Sequence, residues 1–371
     1  MSSQTRREFL RNAAVGAVGW GVGASGLSGA EDLGQPARAG KLEERNVLPG
    51  MRYHRLGRTN MAVSALSAGV TKAPVLLAAL EKGVNFVHTA SGYNNVPDVA
   101  QVAAKHRDRM FIAIKVGPVE EYLAALRVDY VDVLFLSRMG PEDARDSRGR
   151  HRENFERMRQ QGKVRFFGLT IHHNDLVGTT RAAVESDTWD IIMPQYQPQL
   201  RAQLDPILAK ARQKGIGVLA MKTLVNVPRG ATDQEQAIIR TAMASGHLDS
   251  VIISLPSFEA MNRYVEAATT PLKAQDDALL RMAIAGMKGR QCGSCGRCSA
   301  CPQGVQIAEI LRCKDYYAGQ MGDMTFAQAA YRELAESQRA TNCADCGRCE
   351  GVCPEGLPIR RMLQQARTLL A

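Results

Sequence analysis

The most reactive side chains in this sequence are its nine cysteines, and eight of them fall in two runs near the C-terminal end. QCGSCGRCSACP holds Cys292, Cys295, Cys298 and Cys301; NCADCGRCEGVCP holds Cys343, Cys346, Cys349 and Cys353. The second run has the C-x2-C-x2-C-x3-C-P spacing by which thiolates hold cubane iron–sulfur clusters, and the first is one residue shorter at its last gap. Three closely spaced thiolates grip one cubane from a single loop, while the Cys before each Pro arrives from the far end to complete the other. On this reading Cys292, Cys295, Cys298 and Cys353 hold one 4Fe-4S cluster, and Cys343, Cys346, Cys349 and Cys301 hold a second. Structural zinc and disulfides are the alternatives, against which stand the matched triple runs and both Cys-Pro endings. Cys313, in ILRCKDYY, lies outside both runs. It reads most simply as a buried thiol, with replacement of Cys301 as the alternative should the shortened loop not span.

A second set of reactive residues lies between about 63 and 268, where short β-rich runs alternate with segments of helical period. The strand candidates are VSALSAG (63–69), VNFVH (84–88), MFIAIKV (110–116), VDVLFL (131–136), VRFFGLT (164–170), DIIMPQ (190–195), IGVLAM (216–221) and SVIISL (250–255). Helix candidates lie between them, among them PVLLAALEKG, RENFERMRQQG and LDPILAKARQKG, each ending at a glycine suited to a helix C-terminus. Strands alternating with helices predict a parallel sheet, and eight units in roughly 220 residues predict an α/β fold of the closed (β/α)8 TIM-barrel type. A doubly wound open sheet is the other candidate, but no G-x-G-x-x-G follows the first strand. Chemistry in such a barrel gathers at the C-terminal strand ends, which here carry His88, Tyr93, Lys115, Ser137, Thr170, His172, Gln195 and Lys222.

In order along the chain, GVNFVHTASGY, IAIKVG, VDVLFL, GLTIHH, PQYQP and VLAMKTL resemble the aldo-keto reductase family over about residues 52 to 268. The compact cysteine module is similar to the ferredoxin-like extension on one branch of that family. The resemblance implies a small carbonyl or alcohol substrate, a nicotinamide cofactor (NAD(P)) that gives hydride, and a Tyr that gives a proton. It places the Tyr at Tyr93 and the supporting Lys at Lys115; an ammonium beside a phenol favours phenolate and lowers its pKa. Two members of the family's catalytic set are altered. His88 stands where the family has an Asp, and Ser137 where it has a substrate-orienting His. A His cannot serve as an anionic partner for Lys115. The cofactor side departs as well, with Pro256 in place of a phosphate-contacting Lys and Met221 in place of a stacking aromatic. Thr170, Gln195, Lys222, Ser257 and Arg263 remain as candidate cofactor contacts. Conversely, the altered set supports a second reading, an electron-transfer or binding protein whose barrel has lost catalysis.

The N-terminal stretch TRREFLR, with paired Arg6 and Arg7, precedes a glycine-rich apolar segment and a small-residue exit at Ser28, Gly29 and Ala30. This is the anatomy of a twin-arginine export signal. Clusters are inserted during folding in the cytoplasm, so a chain that carries them and works outside must cross the membrane folded. The expected location is therefore periplasmic or otherwise exported, membrane-tethered if the signal stays uncleaved. The expected layout is a signal over 1–30, a linker over 31–51, a barrel over 52–275, a linking helix over 276–289 and a small ferredoxin-like iron–sulfur domain over 290–371. Net charge is +10 and the pI about 9.3, yet no basic tract interleaved with aromatics argues for nucleic acid. The expected partners are a small-molecule substrate, a redox partner protein or electron carrier, and the twin-arginine export machinery.

Overall fold

A computed structural model describes residues 41–370, apart from 91–92, 116, 138, 146–148, 174, 226, 229, 321–323 and the side chains of 150 and 320. The twin-arginine segment with Arg6 and Arg7 lies outside the described residues. Eight strands close a barrel: β3 (Leu66–Thr71), β4 (Phe86–Thr89), β5 (Phe111–Lys115), β6 (Val131–Ser137), β7 (Val164–Ile171), β8 (Ile191–Pro194), β9 (Gly217–Met221) and β10 (Ser250–Leu255). They run parallel in sequence order, and β10 pairs with β3 to complete the ring. Helices alternate with the strands, and the turn after Arg201–Gln213 shows how sequence ends them. Gly215 adopts φ 71°, where its backbone N–H reaches the Arg212 carbonyl at 2.8 Å.

The first barrel strand begins three residues later than the expected 63–69. Val63 and Ser64 belong instead to a small antiparallel hairpin, β1 (Tyr53–Arg55) with β2 (Ala62–Ser64), whose runs are too short to show alternation in sequence. Hairpin residues Leu56, Met61 and Val63 pack with the barrel's inward-facing side chains. Part of the expected linker also belongs to the barrel. Arg45 donates to the Met110 carbonyl at 2.8 Å, and Glu43 pairs with Arg45 and Arg165 around the fully buried Asp132.

Period-two geometry divides the strand residues cleanly. Phe86, Phe111, Ala113, Val133, Phe135, Ile191, Met193 and Leu219 fill the barrel interior, whereas Val87, Ile112, Ile114, Leu134, Leu136 and Ile192 pack outward against the helices. The inner layer is tight enough that a Cβ on Gly168 would collide with the Phe135 ring. Continuing the inward alternation by two residues reaches His88, Lys115, Ser137, Thr170 and Gln195, so the apolar interior ends in a polar layer at the C-terminal mouth.

A helix at Asp276–Met287 packs on helix Thr232–Met243 and leads into the small domain. That domain has its own core, built from Ile310, Leu311, Cys313, Tyr331, Leu363 and their neighbours. Within it a short helix, Ile307–Leu311, continues as a π-helical segment, Arg312–Gln320. No helix among the described residues is long and apolar enough to cross a membrane.

The joint between the two domains has a buried ionic lock. Arg240 donates to both carboxylate oxygens of Asp276 at 2.8 Å, and both side chains are 2 % exposed. Breaking one side of such a pair leaves a buried charge uncompensated. Asp276→Ala is expected to lower unfolding free energy by about 3–5 kcal/mol in urea titrations, whereas an exposed pair such as Arg263–Glu259 should cost under about 1 kcal/mol.

Candidate functional site at the barrel mouth and the thiol-walled cavities

Tyr93, on the loop after β4, and Lys115, the last residue of β5, meet at the mouth. The Lys115 ammonium donates to the Tyr93 hydroxyl at 2.8 Å and lies 3.4 Å from Nε2 of His172. His88 packs edge-on against the Tyr93 ring with centroids 5.8 Å apart. Burial, reinforced by the Lys115 charge, holds the His88 imidazole well below the usual histidine range, so it is neutral, and its buried Nε2 has no hydrogen-bond partner. Burial also pushes the Tyr93 phenol up to about 12, only partly offset by Arg312. The phenol is therefore a proton donor across the neutral range.

These residues open on a cavity of about 550 Å³, walled by His88, Tyr93, His172, Lys222 and Tyr316 among others. Lys222, just past β9, has φ 57°, a left-handed conformation that a lysine adopts only when its surroundings impose it. Its ammonium sits 4.2 Å from the centre of the Tyr316 ring. Burial, followed by Arg312 and Lys115, holds it well below the ordinary lysine range.

Two residues of this site come from the small domain and were not foreseen from the sequence. Arg312, at the start of the π-helical segment, donates to the His172 carbonyl at 3.0 Å and pairs with Glu309. Burial opposes its charge, but the Tyr317 and Glu309 side chains outweigh that and raise its pKa. Tyr316 follows one turn later and walls both the large cavity and the small one beside it. The only sequence signal was polar and aromatic composition in ILRCKDYY, which says nothing about what the segment lies against.

The other expected site residues are placed unequally. Gln195 is buried, with Nε2 lacking a partner, and lines a small cavity beside the first. Ser137 and Thr170 pair in register at the ends of β6 and β7 but do not wall the large cavity, and the Thr170 hydroxyl donates to the Leu136 carbonyl at 3.0 Å. Ser257 is exposed and caps helix Phe258–Thr269 by accepting from the Ala260 N–H at 3.1 Å. Arg263 donates to Glu259 at 2.8 Å and faces Glu235 at 3.9 Å. Ser257, Arg263 and Thr170 are thus occupied with local structure, and this set fits a nicotinamide cofactor poorly.

The cysteines surround space. Cys292, Cys295, Cys298 and Cys353 all wall one small cavity, while Cys298, Cys301, Cys343, Cys346 and Cys349 wall another of about 200 Å³. Cys313 is buried in the small-domain core and walls neither. Among the described residues no three His, Cys, Asp or Glu side chains converge on one point as ligands of a single ion. Burial pushes the Cys292 thiol up to about 12 and the Cys298 thiol up to about 11, aggravated by neighbouring cysteines. Thiolates in such a place need a positive counter-charge, which cluster iron supplies. The donor chemistry fits iron–sulfur clusters, and the cysteines gather around two spaces, with Cys298 walling both.

The first thiol site adjoins the barrel. Cys295 packs against the barrel's main core, and Gly293 lies beside Gln197 and Gln199. The small cavity that Gln195 lines is also walled by Lys222, Arg312, Tyr316 and Cys292, so it joins the mouth to the thiols.

Comparison with known proteins agrees with this division. The aldo/keto reductase family model matches residues 57–241, and a 4Fe-4S dicluster domain model matches residues 291–358. The holo form of an aldo-keto reductase from Bacillus halodurans is 19% identical with a TM-score of 0.52, covering 63% of this chain and 96% of that one. An aldo-keto reductase from Klebsiella pneumoniae in complex with NADPH is also 19% identical, with a TM-score of 0.50 and coverage of 63% and 95%. Identities this low establish the barrel fold alone. No match is found among curated proteins. Barrel and small domain are thus an aldo/keto reductase domain and a 4Fe-4S dicluster domain on one chain, which makes the protein an aldo-keto reductase-like oxidoreductase.

Proposed function

We propose that this chain couples electron transfer through two 4Fe-4S clusters to the oxidation or reduction of a small carbonyl or alcohol at the barrel mouth, and that it works outside the cytoplasm after twin-arginine export. The observation that carries this reading is the small cavity shared by Cys292 with Lys222, Arg312 and Tyr316, which brings the thiol site up to the substrate cavity. When bound, the clusters supply reversible one-electron transfer. The chain's own residues handle the proton that goes to oxygen. Carbonyl reduction would take two electrons, one from each cluster, and two protons: Tyr93, oriented by Lys115, gives one from Oη to the substrate oxygen, and solvent water gives the other to the carbon, with both returned on oxidation. Tyr316 walls the cavity and Arg312 lies beside it on the small one, and their low-dielectric bulk strengthens the electrostatics there. A redox partner protein or electron carrier is expected to exchange electrons with the second thiol site, where Cys346 is exposed.

The competing reading, a barrel that binds without catalysing, draws on the neutral His88 and the Tyr93 phenol near 12. Turnover separates the two. Anaerobically purified protein should carry about eight irons and about eight sulfides per chain, and its visible absorption should bleach on anaerobic addition of an alcohol substrate. Full cluster content with no bleaching across a panel of small alcohols, and no reoxidation by carbonyls, favours the binding protein. Stoichiometric zinc without visible absorption overturns both.

If Tyr93 is the proton donor, the pH dependence follows from its raised pKa. Reduction needs the protonated phenol, which persists at all pH values below about 12, so its rate should stay flat from about pH 6 to about pH 9. Oxidation needs the phenol deprotonated and should rise with pH throughout that range. Tyr93→Phe should lower both rates about 10²- to 10⁴-fold in steady-state assays without loss of iron. Changing His88→Asp should restore an anionic neighbour to Lys115 and raise the reduction rate, a gain that the single variant reports directly.

Export rests on Arg6 and Arg7. The variant with both changed to Lys should accumulate as precursor in the cytoplasm on cell fractionation. Normal export of that variant would mean that another route carries the protein.

A further inference from the structure

The large cavity at the barrel mouth has a cation whose purpose neither the fold nor the Tyr93–Lys115 pair explains. Lys222 is held in a left-handed backbone conformation with its ammonium against the face of Tyr316. Among the described residues it makes no ion pair and no hydrogen bond; an aromatic face is its only partner. None of the acids near the mouth pairs with Lys222: Glu309 pairs with Arg312, Asp315 with Lys314, and Glu235, which walls the large cavity, faces Arg263 at 3.9 Å. Lys222 lines both the large cavity and the small one leading to Cys292. Among the buried polar atoms without partners on residues lining these cavities are His88 Nε2, Thr223 Oγ1 and Gln195 Nε2, the last an amide N–H that can only donate. A strained, half-buried ammonium aimed at a cavity, flanked by an unused amide donor, is complementary to an anion.

We propose that Lys222 and Gln195 bind the carboxylate of a small organic acid whose reacting carbon then lies beside Tyr93, so that the substrate class is 2-oxo or 2-hydroxy acids. This rests on the reading of the mouth as a redox site and narrows it. A carboxylate is favoured over a cofactor phosphate because Lys222 shares its cavity with the reacting phenol, and because Ser257 and Arg263, two of the expected cofactor contacts, are engaged in a helix cap and ion pairs. The small domain contributes to this specificity: Tyr316 positions the ammonium and Arg312 adds a second positive charge behind it.

The test is binding, measured by calorimetry on the cluster-loaded full chain in its oxidised form, so that no turnover is needed. The probes are benzoylformate and its neutral counterpart acetophenone, with inorganic phosphate and NADPH as further arms. Benzoylformate should bind about 10- to 100-fold more tightly than acetophenone. Lys222→Met should remove most of that difference while leaving acetophenone binding and iron content unchanged, and Lys222→Arg should retain it. Equal affinity for the two probes, no binding of benzoylformate, or indifference to Lys222→Met overturns the proposal. So does phosphate binding as tight as benzoylformate, or a Lys222→Met loss that falls on NADPH alone. Because cluster bleaching by neutral alcohols is a separate measurement, the redox reading survives or falls independently of this one.

Discussion

A buried guanidinium holds the working arrangement of this molecule together. Arg312 belongs to the small domain, yet it donates to the His172 carbonyl at the end of a barrel strand, 140 residues away in sequence. An arginine in that position needs its charge answered and its N–H groups satisfied, or it costs several kcal/mol (about) to keep there. Glu309, one helical turn before it, answers the charge and the His172 carbonyl takes one N–H, while the buried Nε has no partner among the described residues. With Arg312 so fixed, Tyr316 falls over the barrel mouth, Lys222 finds an aromatic face, and the first thiol site is brought against the barrel wall.

The segment that carries Arg312 is π-helical over Arg312–Gln320. Arg312 and Tyr316 both reach the barrel mouth, while Cys313 and Tyr317 enter the small domain's own core. One segment thereby serves two surfaces, and Arg240–Asp276 secures the linking helix that feeds it.

Electrostatically the mouth is unusual in gathering cations around neutral partners. Lys115, Lys222 and Arg312 influence one another, and the residue that would have supplied a carboxylate beside Lys115 is a neutral imidazole. Desolvation keeps the phenol protonated and lowers the proton affinity of the lysine, each opposing charge in a dry place. A bound anion would relieve this imbalance.

Much of this was legible in the sequence because it depends on short-range periodicity. Alternation at period two placed eight strands, with the first misjudged only because Val63 and Ser64 serve a three-residue hairpin strand too short to announce itself. The same alternation brought His88, Lys115 and Gln195 to one mouth. The fixed spacing of the cysteine runs marked the thiols as one metal-binding module, and Cys353 and Cys301 line the two cavities among them. What the tertiary structure alone decided is everything that depends on a side chain meeting an element far along the chain. Ser257 and Arg263, expected as cofactor contacts, also serve as a helix cap and an ion-pair partner, roles no sequence pattern announced. Arg312 and Tyr316 looked like ordinary residues of a small domain and became walls of the cavities at the barrel mouth. No periodicity encodes such a contact; it exists only once two separately folded cores are packed together, and packing is decided by shape and buried charge across the whole molecule.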